Sequence, residues 1–302
     1  MSRIDEALKR LSQAPVVGRI ATRGSDASVR LADEFTLSDY PLENRSSHPR
    51  ADRLALPKEP PASPLIQVHT VSSSLAPEIR QTAKLVVSDA SNPPFIEQYR
   101  RLAATLHDAQ VEKGLKTVMV TSAVPREGKT LTVINLALTL SESYGRRVLL
   151  IDADLRRPSI HEVLGIPNVS GLNEVLRSDR LEPTPVTLSP RLLVLPSGRS
   201  DNNPLAGLSS ARMRTFLDDM SKKFDWVLLD APPVGLLPDA QLLGRIAQAA
   251  IFVIRAGSTP FPVIDRAIAE LGRDCIIGTV LNGVDERTLP ATDYYGHYYH
   301  QK

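Results

Sequence analysis

Three groups of residues have the types and spacing needed to handle a phosphorylated nucleotide. The first is Val124, Pro125, Arg126, Glu127, Gly128, Lys129, Thr130 and Leu131, between an apolar run and a helical pattern. A phosphate cradle needs inward-facing backbone N–H groups, a close backbone approach, one ammonium and one hydroxyl for Mg²⁺. Here Gly128 permits the approach, Lys129 reaches the outer phosphates and Thr130 supplies the hydroxyl. The helix that starts there adds its positive end. The usual form of such a loop has glycine where this chain has Ala123.

The second group is Asp152-Ala153-Asp154-Leu155-Arg156, after the aliphatics Leu149, Leu150 and Ile151. Two carboxylates at a strand end can face one metal-bound phosphate, one directly and one through water. Arg156 is placed to neutralise charge on the group in transfer. The third is Asp230-Ala231-Pro232-Pro233, after Val227, Leu228 and Leu229. A carboxylate ending a buried strand is costly unless a cation or its water shell compensates it. Thr130, Asp152 and Asp230 are therefore the candidate Mg²⁺ ligands. The bland alternative, that each aspartate merely caps the next helix, weakens when three of them accompany a phosphate loop.

Far downstream, Tyr294, Tyr295, Tyr298 and Tyr299 crowd a segment too short and polar to be core. A donor site at one end of the chain and phenolic hydroxyls at the other imply an enzyme that phosphorylates its own tail. His297 and His300 lie in the same segment without a supporting acidic cluster and read as solvated, not as a metal site.

These residues need elements to position them. Apolar strands are expected at Thr117–Thr121, Val148–Ile151, Leu192–Leu195, Trp226–Leu229, Ile251–Ile254 and Ile276–Leu281. Helices are expected at Phe95–Asp108, Thr130–Ser143, Ser209–Lys222, Asp239–Gln248 and Val263–Leu271. Continuous apolar strands alternating with helices predict an α/β fold, a mostly parallel sheet covered on both faces. Ligands in such sheets bind at the carboxyl ends of the strands, where all three motifs fall.

Upstream, residues 1–14 read as a short helix with an Ile4, Leu8, Leu11 stripe that suits docking to a partner or membrane surface. Residues 15–92 are rich in Pro and Ser with little apolar periodicity and read as a largely disordered linker, with a weak element around Ile79–Val87. The catalytic domain is expected at 93–286 and the tyrosine-rich tail at 287–302.

The 302-residue chain carries a net charge of +2, and the doublets Arg100–Arg101 and Arg156–Arg157 are too sparse for a nucleic-acid surface. The single cysteine, Cys275, sits in an apolar run and reads as core filler in a reducing compartment. The opening residues lack a signal-peptide pattern, and no apolar run is long enough to span a bilayer. A cytoplasmic protein without a transmembrane segment of its own is expected.

Over residues 93–302 the chain resembles the bacterial tyrosine kinases, autokinases that work with exopolysaccharide chain-length proteins. The resemblance rests on Pro125-x-Glu127-Gly128-Lys129-Thr130, on Asp152-x-Asp154-x-Arg156, on Asp230-x-Pro232-Pro233 and on the terminal tyrosines. The opening Ser-Arg-Ile-Asp-Glu-Ala-Leu-Lys-Arg is similar to the subgroup linked to exosortase-type polysaccharide clusters. It implies a P-loop NTPase fold, ATP and Mg²⁺, catalytic roles for Lys129, Asp152, Asp154 and Arg156, and Asp152 assisting the tyrosine hydroxyl. It also implies self-association, phosphorylation between subunits, and a membrane co-polymerase of the chain-length determinant type as activator at the inner membrane. Asn282 matches the position that meets adenine. One departure concerns the family's oligomerisation motif Glu-x-x-Arg-x-x-Arg. Glu97 and Arg100 match it, but Ala103 stands in place of the last arginine, and Arg101 lies about 200° away around a helix.

Two rival readings remain. A partitioning or positioning ATPase of the same fold would carry a second lysine where this chain has Val124, and would lack the tyrosine cluster. A nucleotide-dependent binding module would use the tail only to dock to a partner or membrane interface, where tyrosines are favoured.

Overall fold

The computed structural model describes residues 69–70, 85–86, 93–177, 183–200, 203–235 and 238–284. Eight strands form one sheet: β1 (His69–Thr70), β2 (Thr117–Ser122), β3 (Val148–Asp152), β4 (Val186–Ser189), β5 (Leu192–Leu195), β6 (Trp226–Asp230), β7 (Ala249–Arg255) and β8 (Ile276–Asn282). Their order is β1-β4-β5-β3-β6-β2-β7-β8. Every neighbouring pair is parallel except β4–β5. The expected mostly parallel α/β sheet is present, with every expected strand in it. The sequence pattern missed β1 and β4. Both are short, and β4 pairs antiparallel with β5 across a two-residue turn, outside the strand–helix alternation that made the others legible.

Side chains alternate across a strand with period two. Accordingly Val118 and Val120, Val148 and Leu150, and Trp226 and Leu228 enter one core layer. Met119, Leu149 and Ile151, and Val227 and Leu229 enter the other. The parity continues to the strand ends, so Asp152 and Asp230 belong to the first layer's side. Register pairs them directly across β3 and β6.

That first layer is covered by α2 (Lys129–Glu142), whose residues from Thr132 to Ser141 are all buried. A helix apolar on nearly all sides must be covered twice. Its outer cover is α1 (Pro93–Lys113), longer than expected and stopped by Gly114 at φ 67°. Short helices α3 (Ile160–Leu164), α4 (Leu172–Arg177) and α5 (Pro204–Leu208) were not anticipated, because five or six residues show too few turns for periodicity. The second layer receives α6 (Ala211–Lys223), α7 (Asp239–Gly244) and α8 (Phe261–Leu271). α7 stops earlier than expected, at Gly244, where an added Cβ would meet Leu271 Cδ1 at 2.9 Å.

Leu85 lies within the stretch read as linker, in the weak element expected around Ile79–Val87, and it is fully buried in the first layer. The Val86 N–H donates to Asn135 Oδ1 of α2 at 2.9 Å. The packed residues thus include part of the chain upstream of residue 93, within the weak element expected around Ile79–Val87. Cys275 packs, partly buried, against the second core layer from a 3₁₀ turn, where its Sγ donates to the Gly272 carbonyl. The short amino-terminal helix expected at 1–14 lies outside the described residues.

Candidate active site

The site forms where β2, β3 and β6 end beside the start of α2. Gly128 precedes the helix at φ 96°, a conformation open to glycine and strained for other residues. An added Cβ there would also run into Asn282 Nδ2, so that side chain would have to leave the Glu127 carbonyl. No side chain caps this helix start, which leaves its positive end available to an anion.

Lys129 is buried and points its Nζ between two carboxylates, 2.9 Å from Asp154 Oδ2 and 3.4 Å from Asp230 Oδ1. The Thr130 hydroxyl donates to Asp230 Oδ2 at 2.7 Å. Asp152 accepts N–H groups of Ser159 and Ile160 on one oxygen, both at 3.0 Å, and that of Asp154 on the other. Its orientation is thereby set by backbone, including the start of α3.

One cation thus faces three buried carboxylates. Burial alone would lower the Lys129 pKa, but Asp230 and Asp154 outweigh it and hold the ammonium above its ordinary value. Burial, reinforced by Asp230, pushes the Asp152 carboxyl up to about 8. The fully buried Asp230 is raised by its own desolvation. An excess of buried carboxylate over cation is a site that wants positive charge.

Among the described residues no three His, Cys, Asp or Glu side chains form a ready-made metal cage. Mg²⁺ takes one or two carboxylates, phosphate oxygens and waters rather than an all-protein cage. Thr130, Asp152 and Asp230 are the residues that would hold it.

Several expected contacts are placed differently. Arg156, read as facing the transferring group, makes a two-point ion pair with Asp239, at 2.6 Å from Nε and 3.3 Å from its other donor nitrogen. Asp239 is 1% exposed and was overlooked in the sequence, where it looks like an ordinary first-turn helix residue. Glu127 is also 1% exposed, and its side chain accepts the Val124 N–H, which is therefore committed within the loop. Pro125 and Arg126 are exposed, Arg126 at φ 68°. Leu131 packs against the first core layer. Asn282, expected at adenine, donates its Nδ2 to the Glu127 carbonyl at 2.9 Å. Ala103 is fully buried, so the last position of the oligomerisation motif faces the core in this chain. Tyr294, Tyr295, Tyr298 and Tyr299 lie outside the described residues.

No family model matches the chain. Known proteins do. The chain is 35% identical over 206 residues to the tyrosine-protein kinase YwqD of Bacillus subtilis, covering 67% of this chain and 85% of that one. It is 31% identical over 210 residues to the tyrosine-protein kinase wzc of Salmonella typhimurium, covering 67% of this chain but only 28% of that longer protein. Among solved structures, the kinase domain of Escherichia coli tyrosine kinase ETK matches with a TM-score of 0.60 and 32% identity, over 65% of this chain and 78% of that domain. The chimerical protein CapA2B2 shares the fold at a TM-score of 0.61 and 22% identity, over 74% of this chain and 95% of that one. With the phosphate loop, the paired strand-end aspartates and these relatives in agreement, the chain belongs to the bacterial tyrosine kinase family.

Proposed function

We propose that this protein is an ATP- and Mg²⁺-dependent tyrosine autokinase whose acceptors are Tyr294, Tyr295, Tyr298 and Tyr299, reached between neighbouring subunits. The observation that carries the reading is the buried set of Lys129, Asp152, Asp154 and Asp230, with the half-buried Thr130 hydroxyl on Asp230, around the open start of α2.

In this reading Lys129 leaves its carboxylate partners for the outer phosphates. Bound Mg²⁺ would neutralise charge on the phosphate oxygens. Asp152, held by backbone N–H groups and with its proton affinity raised, accepts the phenolic proton. The tyrosine oxygen bonds to the γ-phosphorus as the bond to the β–γ bridging oxygen breaks, leaving ADP. Asp239 holds Arg156 beside this centre.

The function served is control of exopolysaccharide polymerisation or export, with a membrane chain-length determinant protein as partner. Among the described residues no helix is long and apolar enough to cross a membrane. A cytoplasmic position, peripheral to the inner membrane through that partner, follows as part of the proposal.

The test is intact-mass measurement after incubation with Mg-ATP. Wild type should gain several phosphates, while Lys129→Ala should gain none. Replacing the four tail tyrosines by Phe should remove nearly all incorporation while ATP binding persists. Equal incorporation in the Phe variant would rule out the tail as acceptor. ATP hydrolysis without protein phosphorylation would favour the positioning-ATPase reading.

A further inference from the structure

Glu127 is a buried carboxylate inside a loop read as binding phosphate, where a negative charge opposes the ligand. Its contacts give it a different task. One oxygen accepts the Val124 N–H at 2.9 Å. The other accepts the Thr259 hydroxyl at 2.6 Å and the Arg255 N–H at 3.2 Å. Arg255 ends β7, and Thr259 lies in the turn leading to α8. The side chain therefore ties the loop to the neighbouring strand end.

Two more bonds secure the same side. Arg255 donates a guanidinium N–H to the Arg126 carbonyl at 3.3 Å, and Asn282 donates to the Glu127 carbonyl. In a planar trans peptide the N–H points opposite the carbonyl. Holding the carbonyls of Arg126 and Glu127 on the β7–β8 side turns the N–H groups of Glu127 and Gly128 the other way, away from those strands. The Arg126 backbone at φ 68° is strained for a non-glycine residue and needs such outside support.

We infer that Thr259, through the Glu127 carboxylate, is a positioning residue that holds the phosphate loop in its anion-binding shape. Neither side chain touches the nucleotide. The loop's affinity is set from the β7–α8 turn, and the nucleotide is an adenine di- or triphosphate. This rests on reading the loop as a nucleotide site.

The test uses the full chain, a fluorescent ADP analogue and Mg-ATP. Thr259→Val keeps the side-chain volume and removes one donor to a buried carboxylate. It should weaken ADP-analogue binding about tenfold or more, the worth of one hydrogen bond to a charged group. KM for ATP should rise by a similar factor while kcat at saturating ATP stays near wild type. Thr259→Ser restores the hydroxyl and should recover most of the affinity. Glu127→Gln should lie in the same direction as Thr259→Val. A lowered melting temperature with unchanged affinity well below melting would mark a merely structural contact and overturn the inference. So would a fall in kcat with KM unchanged. A wild-type protein that fails to bind the analogue overturns the nucleotide reading itself, and this inference with it.

Discussion

Replacing Lys129 with Met separates the electrostatics of the unloaded site from its packing. Methionine keeps the length and apolar stem of the side chain and removes only the charge. At an effective dielectric constant of about 20, a charge pair at 2.9 or 3.4 Å is worth roughly 5–6 kcal/mol before desolvation. Desolvation of the buried ammonium cancels much of that. Removing one member of a buried pair nonetheless costs about 3–5 kcal/mol, because its partners are left charged and unpaired. The partners here are Asp154 and Asp230, 4% and 0% exposed. In a domain of this size that loss lowers the melting temperature by roughly 6–20 °C.

The loss must also depend on pH. In acid Asp230, whose carboxyl is raised by its own desolvation, can take up a proton once its cation is gone, so the penalty at pH 5.5 should be smaller than at pH 8.5. Denaturant unfolding of the nucleotide-free protein at both pH values measures this. A loss below about 1 kcal/mol at pH 8.5 would refute the argument that Lys129 compensates buried charge. A loss equal at both pH values would refute it too.

Other outcomes follow from individual contacts. Asp152 has a folded pKa near 8 against an ordinary 3.8, so its favourable protonated form is lost as pH rises through that window. Asp152→Asn should therefore raise the nucleotide-free melting temperature relative to wild type at pH 8 but not at pH 4, while abolishing phosphoryl transfer; thermal scans at both pH values check it. Asp239→Ala leaves Arg156 without its two-point partner and should lower kcat more than tenfold, whereas Asp239→Glu should partly restore it. Leu85→Ala should cost about 2–5 kcal/mol in denaturant unfolding despite its place outside any helix or strand. Gly128→Ala should abolish binding of the ADP analogue, since its Cβ collides with Asn282 and its φ is unfavourable.

Much of the chemistry was legible before any fold was known. Apolar runs ending in Asp152 and Asp230 announce buried parallel strands, because only a covered sheet tolerates aliphatics on both faces. Gly128-Lys129-Thr130 at a strand-to-helix junction announces a phosphate loop, because glycine, ammonium and hydroxyl are each required locally. Those signals lie within a few consecutive residues, where covalent geometry fixes their separation.

What only the tertiary structure decided is pairing across long separations. The register of β3 on β6 brings Asp152 beside Asp230, and that proximity, with burial, raises the Asp152 carboxyl. Arg156 is paired with Asp239, 83 positions away in the chain. Glu127 finds its donors at Arg255 and Thr259, and Leu85 finds its place under the sheet. Asp152, Asp230, Arg156 and Glu127 each stand in a motif, but no motif says which of them meet, and Asp239, Arg255 and Thr259 carry no motif at all. A side chain's ionisation and aim depend on which distant groups packing brings within about 3 Å of it, and a residue's type alone does not specify them.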